Sequence, residues 1–340
     1  MKAAIGKLVA RKDLSSEEMQ AVISSMMQGE QPPELIAAFL TALAMKGETV
    51  EEVTAAAKVM RQLAKQVYLV SDEIMVDPVG TGGDGVGLFN CSTASAIIAS
   101  AGGVKIAKHG NIAASSASGS ADVLREAGVK LELSPEQVVN AVNLCGFGFM
   151  YAPAFHAAMR HVAPVRRAIG IRTIFNVLGP LSNPAGVKHQ VLGVFAKDWV
   201  RPMTEVSKNL GAQSVITVCS ANGLDEFAIT DINFVCELCA DGTIIEYEID
   251  PVELGIKHRC HDCLKVSNAK ESLSLIQAIF RSEGPKEGED MLALNAAAIF
   301  KVAGRVKSWQ EGIMLAKQII QDGRALSQLT KIAKISQLEV

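Results

Sequence analysis

The run Asp77-Pro78-Val79-Gly80-Thr81-Gly82-Gly83-Asp84-Gly85, followed by Asn90, Ser92 and Thr93, carries the clearest chemical signal in the chain. Glycine admits positive φ and lets backbone N–H groups approach an anion without a Cβ in the way. Hydroxyls, unsatisfied N–H groups and the helix dipole at a helix start favour phosphate at the same place. No Lys-Ser or Lys-Thr follows, so this is not a Walker loop, and the spacing and acidic residue of a dinucleotide fingerprint are also missing. Four glycines within six positions exceed what a tight turn with a Ser/Thr cap requires. The expectation is a phosphorylated, pyrophosphate-bearing small molecule held on this loop.

Lys108-His109-Gly110-Asn111 and Ser115-Ser116-Ala117-Ser118-Gly119-Ser120 repeat the design: a cation, small flexible residues, hydroxyls and a helix start. Two such loops on neighbouring strands can grip two ends of one ligand, for example a pyrophosphate and a sugar phosphate. Asp225 and Glu226, within Gly223-Leu224-Asp225-Glu226, are adjacent carboxylates of the kind Mg²⁺ takes together with waters and substrate phosphates. In isolation such a pair is a surface turn. Cys236-x2-Cys239 and Cys260-x2-Cys263, with His258 and His261 nearby, have the spacing of a structural zinc site. Cys236 falls in an expected strand, which favours free thiols on a hairpin and a loop. Cys91 and Cys145 read as small core or near-core residues.

These segments need a frame. The first 65 or so residues read as helix only. Ser15-Ser16-Glu17-Glu18 and Thr49-Val50-Glu51-Glu52 are capping-box patterns, Pro32-Pro33 suits a first turn, and Gly29 and Gly47 suit helix ends. Short apolar strands are then expected at 74–76, 104–107, 147–150, 190–195 and 214–219, alternating with helical segments. Strand–loop–helix alternation argues for a mostly parallel sheet covered by helices, with ligands at the carboxyl ends of the strands. Residues 234–238 and 244–249, separated by Ala240-Asp241-Gly242, read as a hairpin, and the last 70 or so return to helix.

Composition limits the function classes. Of 340 residues, 49% are apolar and 20% charged, as in a folded globular protein rather than a disordered one. The net charge of −3 gives no general attraction to nucleic acid or an anionic membrane. No apolar run approaches a membrane-spanning length, and the early charges do not suit a secretory signal. Seven cysteines do not read as a disulfide framework, so the expected compartment is the cytoplasm.

Gly80-Thr81-Gly82-Gly83-Asp84, Asn90-Cys91-Ser92-Thr93, Lys108-His109-Gly110-Asn111, Gly119-Ser120-Ala121-Asp122 and Gly223-Leu224-Asp225-Glu226 stand in the order seen in the anthranilate phosphoribosyltransferase family. Val165-Arg166-Arg167, the run from Gly170 to Asn176, Leu178-Gly179-Pro180-Leu181 and Asn183-Pro184 extend the match, so that the chain resembles that family over essentially its whole length. The resemblance implies transfer of phosphoribosyl from phosphoribosyl pyrophosphate (PRPP) to the amine of anthranilate, with release of pyrophosphate, in tryptophan biosynthesis. It implies a homodimer acting on small molecules, and a fold like that of the pyrimidine nucleoside phosphorylases. In that fold a helical domain, 1–68 completed by helices near 155–185, packs on a larger α/β domain, 69–340.

For PRPP the resemblance implies Gly80, Gly83, Asp84, Leu88, Asn90, Cys91, Ser92, Thr93, Lys108, His109, Gly110, Asn111, Ser115, Ser116 and Ser120. For anthranilate it implies Gly80, His109, Asn111, Pro153, His156 and Arg166. For Mg²⁺, two ions, it implies Ser92, Asp225 and Glu226. The chain departs from the family pattern at Leu88, Ile112, Ala117 and Ala157, where Thr or Ser, Arg, Lys and Pro are usual. Losing two cations beside a polyanion implies an altered affinity for PRPP.

Overall fold

The computed structural model describes residues 1–69, 73–83, 85–113 and 117–338. Four helices come first: α1 (Lys2–Val9), α2 (Ser16–Met27), α3 (Pro33–Lys46) and α4 (Val50–Leu63). Both expected capping boxes form. The Ser15 and Thr49 side chains accept the N–H of Glu18 and Glu52, whose carboxylates take the cap N–H groups in return. Glu52 is fully buried, and its carboxylate also accepts the Leu14 N–H at 3.0 Å and pairs with Lys46 at 2.8 Å. A helix cap thereby doubles as a tie between α2, α3 and α4.

The α/β part then runs β1 (Met75–Gly80), α5 (Cys91–Ala101), β2 (Lys105–Gly110), α6 (Ser120–Glu126), α7 (Pro135–Cys145) and β3 (Phe147–Tyr151). Short helices α8 (Ala152–Phe155), α9 (Ala163–Ile169) and α10 (Phe175–Leu181) follow, then β4 (His189–Gly193), α11 (Val200–Asn209) and β5 (Ser214–Ser220). A hairpin of β6 (Asn233–Leu238) and β7 (Ile244–Ile249) precedes α12 (Ala269–Phe280), α13 (Lys286–Val302), α14 (Trp309–Gln321) and α15 (Arg324–Ser336).

The strands form one sheet in the order β3-β2-β1-β4-β5-β6-β7, parallel from β3 to β5 and antiparallel at the hairpin. Helices α1–α4, α9, α10 and α11 share one apolar core with one face of the sheet. Helices α5, α6 and α12–α15 share another with the opposite face. The expected small helical N-terminal domain with a larger, mostly parallel α/β domain is the fold observed. Strand order reverses between β1 and β4, the place where open α/β sheets bind ligands.

Two segments differ from the sequence expectation. β1 continues through Asp77 and Pro78 to Gly80, and β2 continues through Lys108 to Gly110. Each is extended by the neighbour on its outer side, β4 for β1 and β3 for β2, which residue type alone does not reveal. The zinc alternative, ranked below free thiols on the sequence, finds no support. Cys236 is buried in the core shared with α11, whereas Cys260 and Cys263 are exposed beside Leu264, which packs on the other face of the sheet. Among the described residues no three His, Cys, Asp or Glu side chains converge as metal ligands, and no helix is long and apolar enough to cross a membrane.

Candidate active site

The site begins as a seam in the sheet. β1 and β2 pair only at Met75–Lys105 and Val76–Ile106, and beyond Val76 each follows its other neighbour. Asp77, fully buried, fills the opening. Its Oδ1 accepts the His109 N–H at 3.1 Å, and its Oδ2 accepts Asn183 Nδ2–H at 2.7 Å; Asn183 also donates to the Ala107 carbonyl. Burial raises the Asp77 carboxyl to about 6, with Lys108 and these hydrogen bonds opposing. Pro78 has no N–H for a neighbouring strand, and its carbonyl takes a hydrogen bond from the buried Lys108 Nζ, which lies 3.4 Å from Ser92 Oγ. Burial lowers the Lys108 pKa, and the carboxylates of Asp77, Glu226 and Asp225 pull it back up.

Gly80 and Gly193 are register partners at the ends of β1 and β4. A Cβ on Gly80 would collide with the Asp225 carboxylate, and one on Gly193 with the Asp225 backbone carbonyl. Two bare strand ends therefore let the Asp225–Glu226 segment lie on the sheet. Asp225 Oδ2 accepts the Gly82 N–H at 2.6 Å, and Glu226 Oε1 accepts the Ser92 N–H at 2.9 Å. The carboxylates are thus tied to the glycine loop and to the start of α5. Asn90 caps α5 by accepting the Thr93 N–H at 3.0 Å, and its Nδ2 donates to the Ser118 carbonyl at 3.2 Å, joining the two loops.

Further groups come from α9, α10 and the connection between them. Arg166 lies 5.4 Å from the centre of the Phe175 ring, and burial lowers its pKa. Arg172 stacks 4.1 Å above the Phe195 ring and donates to the Gly83 carbonyl. A cleft of about 370 Å³ results. Of the expected site residues, Gly80, Gly83, Leu88, Asn90, Ser92, Lys108, His109, Gly110, Asn111, Ser120, Arg166, Asp225 and Glu226 line it together, with Ile112 at its wall.

Four do not line the cleft. Cys91 is buried with its Sγ 3.7 Å from Ser95 Oγ, and Thr93 is fully buried inside α5. The helix turns both side chains into the core, so only their backbones face the loop end. Pro153 is exposed on α8, and His156 sits behind His109 with ring centres 5.0 Å apart. Asp84, Ser115 and Ser116 lie outside the described residues. Sequence reasoning assigned no role to Asp77, Asn183 or Arg172, and Gly193 it did not single out. The first three sit in the motif runs already noted, which was the only available signal.

Both imidazoles are buried, and neither Nε2 has a hydrogen-bond partner among the described residues. Burial pushes His109 down to about 3, helped by His156 and Lys108, and His156 down to about 4. Both are neutral at pH 7. An unfolded chain protonates them below about 6.5, so their contribution to stability is complete above that pH and is lost as pH falls, by about 1.4 kcal/mol per pH unit per group. Asp77 acts in the opposite sense: its raised folded pKa makes the folded state take up the proton first as pH falls through about 6. Urea titrations from pH 6 to 4 should therefore show His156→Asn losing less stability with acid than the parent, by about 1.4 kcal/mol per pH unit. Parallel slopes would reject the burial argument.

Asp225, Glu226 and Ser92 line the same cleft and offer oxygen donors only, a set whose chemistry fits Mg²⁺. Comparison with known proteins adds the family. The model of the glycosyl transferase family, helical bundle domain, matches residues 2–64, and that of the glycosyl transferase family, a/b domain, matches residues 72–326. Anthranilate phosphoribosyltransferase from Marinobacter nauticus is 45% identical over 340 residues, covering 99% of each chain. That from Hahella chejuensis is 47% identical, covering 99% of this chain and 97% of its own.

The chain belongs to the anthranilate phosphoribosyltransferase family. Anthranilate phosphoribosyltransferase from Thermus thermophilus superposes with a TM-score of 0.90 at 41% identity, covering 98% of this chain and 99% of that one. The Saccharomyces cerevisiae anthranilate phosphoribosyltransferase in complex with PRPP and Mg gives 0.88 at 27% identity, covering 98% and 97%.

Proposed function

We propose that this chain transfers phosphoribosyl from PRPP to the amine of anthranilate, releasing pyrophosphate, with Mg²⁺, in tryptophan biosynthesis. The observation that carries the reading is the pair Asp225–Glu226, one carboxylate bonded to the glycine loop and the other to the start of α5, in the same cleft as Arg166.

Each residue type suits its part. The bond from ribose C1 to the pyrophosphate oxygen breaks, the anthranilate nitrogen bonds to C1, and the amine loses a proton. Negative charge grows on the leaving pyrophosphate, where the Lys108 ammonium and the positive end of the α5 dipole stabilise it. Mg²⁺ held by Asp225, Glu226 and Ser92 supplies further charge neutralisation there. The aromatic amine is a neutral nucleophile and needs no strong base, consistent with two histidines kept neutral by burial. Arg166 offers a planar fork for the anthranilate carboxylate, with Asn111 beside it in the cleft. Cys91 and Thr93, with side chains buried and the Thr93 N–H taken by the Asn90 cap, shape the start of α5 rather than touch PRPP through their side chains. A domain of 1–68 with the helices near 155–185, moving on 69–340, two Mg²⁺ ions, homodimeric assembly and a cytoplasmic site of action complete the proposal. They rest on the resemblance and on the reduced-thiol composition.

The test is loss of anthranilate fluorescence with PRPP and Mg²⁺; no consumption would refute the reading, and cleavage of a nucleoside by inorganic phosphate instead would replace it. Ile112 is 45% exposed at the cleft wall where a cation is usual in the family. Ile112→Arg is expected to lower the KM for PRPP by about tenfold, one charge-assisted hydrogen bond, with the gain shrinking in salt. An unchanged or higher KM would mean the missing cation is without effect.

A further inference from the structure

We propose that Asn295, on α13, positions Glu226 and with it the metal-binding edge of the cleft. This rests on the reading of Asp225 and Glu226 as metal ligands.

The segment between β5 and β6 carries both carboxylates and is neither helix nor strand, so its backbone groups need partners from elsewhere. Asn295 supplies them to the residue directly after Glu226. The Phe227 N–H donates to Asn295 Oδ1 at 3.0 Å, and Asn295 Nδ2 donates to the Phe227 carbonyl at 3.0 Å, closing a two-bond ring. The remaining Nδ2 proton goes to the Met291 carbonyl at 2.9 Å, so every hydrogen on the amide is engaged. Asn233 holds the next residue in the same way, with the Ala228 N–H donating to its Oδ1 at 2.7 Å and its Nδ2 donating to the Ala228 carbonyl at 3.0 Å. Two consecutive residues are therefore gripped through their backbones by two buried amides, from α13 and from β6.

Asparagine is unfavourable inside a helix, and Leu or Ala would suit the apolar surroundings of α13 better. What the amide secures is the carboxylate segment. Asn295 also borders a small hollow beneath the cleft together with Ser92, Ser95, Asp225 and Glu226. It acts on Glu226 through the backbone, and so is a positioning residue. A reporter is built in: the Phe227 ring packs on Trp309, 5.1 Å between centres, and the chain has only two tryptophans.

The experiment uses the full chain with Trp199→Phe, so that Trp309 alone fluoresces. Mg²⁺ is titrated in the presence of inorganic pyrophosphate, and separately the Mg²⁺ dependence of turnover is measured. Asn295→Ala is expected to raise the half-saturating Mg²⁺ concentration by about tenfold in both, while the KM for anthranilate changes less than about twofold. Asn295→Asp, which keeps the acceptor for the Phe227 N–H and loses the donor to its carbonyl, should move the same way and serves if the alanine variant does not fold. Gln328 is the control: its amide grips Ser100 and the Cys145 carbonyl away from the cleft. Gln328→Ala should lower the melting temperature and leave the Mg²⁺ curve in place. A folded Asn295 variant with an unmoved Mg²⁺ curve overturns the proposal, as does an equal shift in the Gln328 variant. A parent with turnover but no Mg²⁺ response would instead overturn the metal reading on which it rests.

Discussion

Asp225→Asn should lower Mg²⁺-dependent turnover by about 10²–10³-fold at saturating substrates, the loss typical of removing one charge-stabilising group from a transition state. The exchange is close to isosteric. The asparagine carbonyl can still accept the Gly82 N–H, so the glycine loop keeps its tie and the melting temperature should move little. What disappears is a negative charge at the place where, in our proposal, a divalent cation sits beside pyrophosphate. The signature is a fall in kcat with little change in the KM for anthranilate, which binds at Arg166 in our proposal. Turnover within tenfold of the parent would remove Asp225 from the metal site.

Gly193→Ala should be nearly as damaging without touching any charge. The new Cβ would overlap the Asp225 backbone carbonyl, and neither side can yield. Gly193 belongs to a strand paired on both flanks, and the Asp225 segment is gripped from below by Asn295 and Asn233. A shift of an ångström or so at the carboxylates should cost about 10²-fold in turnover. Overpacking should cost about 1–3 kcal/mol in stability, read from urea unfolding. Gly82→Ala is the internal contrast: nothing lies within 4 Å of its added Cβ, and only the strain of φ +68° remains. If Gly193→Ala kept full turnover, the close approach of strand end and carboxylate segment would not matter to function.

Much of this could be read from residue types. Ser15 with Glu18 and Thr49 with Glu52 declare helix starts because a capping box is local chemistry, three residues apart. The clustering of glycines at 80–85 is equally local, whereas Asp225–Glu226 taken alone reads as a surface turn and draws its proposed role from the company of the other motifs. What could not be read depends on partners far along the chain. Pro78 argues against a strand until one sees that its carbonyl is taken by Lys108 and that β1 relies on β4 beyond Val76. Cys91 and Thr93 belong to a phosphate-binding pattern, yet helix rotation sends their side chains into the core. Arg172 draws no role from its type or spacing, and only the fold brings it over Phe195 to the Gly83 carbonyl. The spacing of the four cysteines suits a metal, but Cys236 is buried in one core while Cys260 and Cys263 are exposed beside Leu264, which belongs to the other.

The seam at Asp77 bears on the order in which the molecule is made. Its two carboxylate oxygens close loops of 32 and 106 residues, to His109 and to Asn183, and closing loops of that length is entropically slow and unrewarded until both ends are in place. A chain emerging from the ribosome can form α1–α4 and the first strand–helix units from neighbouring residues. It cannot bury Asp77 until Asn183 has appeared, nor seat Asp225 on the strand ends until β4 and β5 are laid down. Folding thus completes the cleft only after elements far apart in the chain have been brought together.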